Sequence, residues 1–178
     1  MWKLAPKLDR ITVPIPAVHA REDADALLLR RAGEWMLAYW RRARGEQTLP
    51  PSSALDDLFA TEFGPFCVGG QICLTDGPRV LRMGRRFTEA FDRKEADRTG
   101  AFTAATVLGI VVSMASELQL DPRPFQRGGD FMTDTDRAVR YHVVAMPFRG
   151  GLSGTPAWLA AAEWQVEPSL PHAATLSS

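Results

Sequence analysis

Hydrophobic and polar positions along the chain fall into blocks of helical and strand period. The longest apolar block is Thr103–Leu120, whose one formal charge is Glu117. It holds Val107, Ile110, Val111 and Val112, which favour strands, but the run is too long for one. Val107, Leu108, Val111, Ala115 and Leu118 recur at helical spacing, and Val112 and Met114 widen the stripe. The block therefore predicts a buried helix, covered over most of its circumference. Asp121-Pro122 ends it, because the residue before a proline is pushed out of α geometry. Three strands are predicted after it, at Pro124–Thr133, Ala138–Phe148 and Pro156–Val166. In the second, Val139, Tyr141, Val143 and Ala145 alternate with Arg140, His142, Val144 and Met146. Asp134-Thr135-Asp136 supplies a turn and Gly150–Gly154 a longer loop.

Ahead of the central block, Glu22–Arg44 predicts a long helix. Glu22, Asp23 and Asp25 open it and Arg41, Arg42 and Arg44 close it, both matching the helix dipole. Gly45 is placed as its C-terminal cap. Leu28, Ala32, Trp35 and Tyr39 are spaced four, three, four, with Leu29, Met36 and Trp40 in the adjacent row. A face this apolar packs either on its own domain or on a second copy. The expectation taken forward is a homodimer, with Leu28, Ala32, Trp35, Met36 and Tyr39 as its interface.

Between the two helices, Ala54–Phe59 predicts a short helix after the stiff Pro50-Pro51 connector. Phe66–Leu74 predicts a strand interrupted at Gly69-Gly70, Asp76-Gly77-Pro78 a turn, and Arg79–Met83 a second strand. Phe87–Phe91 is a further short helix, and Arg93–Gly100 is read as irregular. Pro6, Pro14 and Pro16 break the leader Met1–Ala20, and Ser169–Ser178 is a small-residue tail. The organisation expected is residues 1–60 as leader, helix and linker, 61–167 as an α+β domain, and 168–178 as a flexible tail.

The order of these elements resembles the PAS domain superfamily over about Phe66–Val166: a five-stranded antiparallel sheet with helices on one face. Arg82-Met83-Gly84 followed by Phe87 and Phe91 resembles the strand-end glycine and short helix of PAS sequences. Arg98-Thr99-Gly100 resembles the turn before their long helix. Tyr141, Met146-Pro147-Phe148, Trp158, Ala161 and Trp164 resemble the last two strands. Leu37–Trp40, Arg44-Gly45, Leu49-Pro50-Pro51 and Leu55-Asp56 resemble the front of stand-alone PAS-like proteins of alphaproteobacteria. The resemblance implies a sensory or regulatory module that pairs with itself or with a signalling protein. The short helices between Gly84 and Thr103 carry neither cysteine nor histidine. The chain thus departs from flavin-adduct and haem-binding members, and no cofactor is expected. No kinase, cyclase or DNA-binding segment follows Val166, so output is expected to pass through a surface.

Candidate chemistry is sparse. Met83, Phe87, Phe91, Phe102, Met114, Met132, Met146 and Trp158 suit either a filled core or a pocket for a small apolar ligand. Arg79, Arg82, Arg85 and Arg86 form the densest basic patch, and Arg82, Arg85 and Arg86 are the candidates for binding a phosphate or nucleotide. Asp130 and His142 are the leading pair for a small enzyme, but nothing in the sequence brackets a substrate between them. His19, His142 and His172 are the three histidines and offer no metal-ligand spacing. No catalytic residue and no metal are expected.

Composition narrows the partners. Lys+Arg and Asp+Glu both number 21, which argues against nucleic acid, since phosphate backbones need a basic face. Cys67 and Cys73 read as thiols in a reducing cytoplasm, not as a disulfide. The leader lacks a secretory core, and Ala101–Met114 is too short to span a bilayer. A cytoplasmic bacterial protein is the expectation.

Overall fold

The computed structural model describes residues 33–92, 98–150 and 154–167. The first helix, α1, occupies 33–44, and Gly45 follows it with a φ of 57° and its amide on the Arg42 carbonyl. This is the expected glycine cap. The part of the expected helix at 22–32 lies outside the described residues. After α1 come α2 (Ser52–Phe59), a single 3-10 turn (Gly64–Phe66), β1 (Cys67–Cys73), β2 (Gly77–Met83), α3 (Arg85–Asp92), α4 (Arg98–Leu120), β3 (Phe125–Met132), β4 (Ala138–Phe148) and β5 (Ala157–Val166).

All five strands form one antiparallel sheet in the order β2-β1-β5-β4-β3. The α+β class and the five-stranded antiparallel sheet are as expected. The register between β1 and β2 shifts at Gly69/Gly70, where the sequence places its break. Gly70 is needed there, since a Cβ would collide with the Arg79 carbonyl of the neighbouring strand.

Alternation along the strands divides the core in two. On one face α3 and α4 meet Val68, Ile72, Val143, Ala145, Trp158, Ala160 and Ala162. On the other, Met36, Trp40, Ala54, Leu58 and Phe59 from α1 and α2 meet Cys67, Val144, Met146, Phe148, Leu159 and Ala161. The sheet is thus covered on both faces, with the N-terminal helix supplying the second layer. Trp40 ties α1 down further by donating its indole N–H to the Pro147 carbonyl at 2.7 Å.

Two readings of the central helix change. It begins at Arg98, so Arg98-Thr99-Gly100 is its first turn and not a preceding loop. The Thr103 hydroxyl bonds the Thr99 carbonyl one turn back at 2.7 Å. Nor is α4 covered over most of its circumference. Thr103, Ala104, Val107, Val111, Met114, Ala115 and Leu118 are buried, while Phe102, Ala105, Gly109, Ser113 and Leu120 are exposed. The longer helix also changes the membrane reading. Thr99–Leu120 is long and apolar enough to cross a bilayer by length and composition, but its inner side is part of the domain core.

Candidate functional site

The ligand-pocket residues do not converge. Phe87, Met114 and Trp158 are fully buried and pack the α4 side of the sheet, with Phe87 against Trp164 at 4.9 Å between ring centroids. Met146 is equally buried but on the opposite face, among Met36 and Leu58. Met83, Phe91, Phe102 and Met132 are at the surface. These eight residues therefore enclose no shared apolar chamber. The alternation of β4 places Met146 on the opposite face from Val143 and Ala145, a consequence that the bare residue types do not reveal.

The basic patch also disperses. Arg82 lies over the Phe59 ring at 4.2 Å and pairs with Asp56 at 3.6 Å. Arg85 pairs with Glu89 at 3.2 Å, one turn along α3. Arg86 lies over Phe66 and Trp164, at 5.1 and 5.7 Å. Each of the three arginines thus has its own, separate neighbours. Arg79 is exposed on the edge strand β2. The pair suggested for acid–base work is engaged elsewhere. Asp130 accepts from Arg140 at 3.3 Å, and Arg140 also reaches Glu167. His142 stands across the strand pair from Glu163. Among the described residues no group of three or more His, Cys, Asp or Glu is placed to hold a metal ion. Cys67 is buried, and that burial pushes its thiol up to about 12, with nearby Arg82 pulling weakly the other way.

Of the interface residues, Leu28 and Ala32 lie outside the described residues. Met36 is fully buried against its own sheet, so it is not free to meet a second copy. Trp35 is 40% exposed; it stacks on Tyr39 at 5.6 Å and meets the Phe63 ring at a tilt, at 5.0 Å. Tyr39 donates to Asp57 at 3.3 Å, and burial together with that carboxylate raises its pKa.

Two surface features remain. One is the outer face of α4. Phe102, Ala105, Thr106, Gly109, Ser113, Ser116 and Leu120 follow one another at helical spacing along it, and Thr99–Ser116 contains no charged residue. The hydroxyls of Thr106 and Ser116 bond back to the Phe102 and Val112 carbonyls, which reduces the polarity they present outward. At Gly109, no atom lies within 4 Å of where a Cβ would stand. The fold itself does not require this glycine. The other feature is a cleft of about 280 Å³ between α3, the first turn of α4, Arg137 and the end of β5. Periodicity alone did not single out either feature, because the apolar content of α4 reads as core and Arg137 and Trp164 are far from Arg86 in the chain. Comparison of the chain with protein-family models and with curated proteins finds no match.

Proposed function

We propose that this chain is a non-catalytic, PAS-like regulatory module that works through protein–protein contact, its first partner being a second copy of itself. The strand arrangement and the long helix across the sheet support the PAS resemblance. One observation carries the contact reading: the outer face of α4 is an uncharged strip of small and apolar residues that stays exposed among the described residues. Phe102 and Leu120 are its exposed large side chains, and exposed apolar groups on an uncharged strip suit a contact surface.

The face suits another copy of itself. It bears no charge to repel its like across a two-fold axis. An antiparallel crossing centred on Gly109 sets Phe102 of one copy against Ser116 of the other, and Ala105 against Ser113. Phe102 then meets a small residue, Ala105 and Ser113 are both small, and the missing Gly109 side chain lets the two backbones approach. The interface therefore moves from α1, whose Met36 and Trp40 hold the domain together, to α4.

Multi-angle light scattering at micromolar concentration tests this. The wild type is expected at twice the chain mass of 19.6 kDa. Gly109→Glu places a charge in open space, so it is expected to give a folded monomer with unchanged circular dichroism. A monomeric wild type, or one that floats with neutral lipid vesicles as a monomer, contradicts the proposal.

A further inference from the structure

We infer that the cleft beside α3 and the first turn of α4 binds a small oxyanion, the phosphate or carboxylate group of a small molecule. The inference is independent of the α4 contact face. Two guanidinium groups border the cleft, Arg86 from α3 and Arg137 from the turn before β4. The bordering carboxylate, Glu89, is held by Arg85 at 3.2 Å. No carboxylate among the described residues pairs with Arg86 or Arg137, so the described lining sets two guanidinium groups against one carboxylate that is already paired.

Both guanidinium groups are held by neighbours in the fold. Arg86 lies over the rings of Phe66 and Trp164, at 5.1 and 5.7 Å, contacts that hold the guanidinium at the cleft without using its N–H donors. Arg137 donates Nε and one Nη to the Glu167 carbonyl, at 3.3 and 3.2 Å, which fixes the fork and leaves its other Nη. Little side-chain freedom remains to be lost when an anion arrives. Thr99 contributes a hydroxyl at the rim, 3.3 Å from that of Thr135. A volume of about 280 Å³ is near the lower end of small-molecule sites. It fits a compact anion and leaves little room for a long apolar chain.

The test is amide NMR of the full chain, titrated with inorganic phosphate or with citrate at ionic strength held constant by chloride. The expected result is saturable shifts of the Thr99 and Gly100 amides and the Trp164 indole with at least one of the two anions. Phosphate alone, citrate alone or both would identify the group preferred. Arg137→Gln should raise the midpoint at least tenfold, Arg86→Lys by less, and Arg79→Gln should leave it unchanged. The dispersion of the same spectra verifies that each variant is folded. Shifts that never saturate, that chloride reproduces, or that survive Arg137→Gln unaltered would overturn the inference.

Discussion

The packing of α1 on its own sheet can be weighed with one substitution. Met36 is fully buried among Trp40, Leu58, Val144, Met146, Phe148 and Leu159. Met36→Ala removes its thioether arm and leaves a cavity between α1 and the sheet. Such truncations cost about 2–5 kcal/mol, a large share of the roughly 5–15 kcal/mol of a typical domain. For a chain of this size the melting temperature should fall on the order of 10 °C. Trp35→Ala provides the contrast. Its side chain is 40% exposed and rests on Tyr39 and Phe63, so the lost ring contacts should cost about 1 kcal/mol. Urea titration followed by circular dichroism reads both, with sheet and helix signals lost together. If Met36→Ala left the midpoint unchanged, or if Trp35→Ala proved the costlier of the two, α1 would not be a layer of the core.

Other consequences follow from the same packing. Trp40→Phe should lower stability by about 1–3 kcal/mol, because the Pro147 carbonyl loses its buried donor; urea titration checks this. Gly109→Ala should stabilise the monomer by about 1 kcal/mol, since a helix interior favours alanine and the site is open. At pH 8, Cys73 should react with a thiol reagent in the native protein and Cys67 only after denaturation. The Cys67 thiol rises on folding from an ordinary value of 9.0 to about 12. Its neutral form is thus favoured by the fold, and stability should be flat below about pH 9 and decline from there toward 12. Cys67→Ala should flatten that decline.

The strands were the most legible part of the sequence. Ala138–Phe148 matches β4 to the residue, and the other four agree within two residues at each end. Alternation, turn residues such as Asp136, whose φ is 54°, and the Gly69-Gly70 break are local signals that the sheet does not override. The helices were less legible in extent and in surroundings. Arg93–Gly100 reads as irregular, yet α4 begins at Arg98 and the hydroxyl bond from Thr103 to Thr99 accompanies an unbroken first turn. Whether an apolar helix is covered all round depends on what else reaches it. Periodicity places Val107, Val111 and Leu118 on one side of α4 but does not show that Gly109 and Ser113 are exposed. Likewise Met36 reads the same whether it faces a sheet or another copy, and only the tertiary contact with Val144 and Leu159 separates the two. The cleft was illegible for a simpler reason: Arg86, Thr99, Arg137 and Trp164 come from four separate stretches of the chain.

The most direct test of the α4 contact is cross-linking at its centre. A two-fold axis through residue 109 brings the two copies of that residue within disulfide reach, about 5.5–6 Å between Cα atoms. In a Cys73→Ser background, with Cys67 buried, Gly109→Cys should form a covalent dimer within minutes of mild oxidation. Ala38→Cys, exposed on α1, serves as the control and should react only at the rate of random collision. Rapid, concentration-insensitive cross-linking at 109 alone is the result expected. Equal rates at 109 and 38 would contradict it.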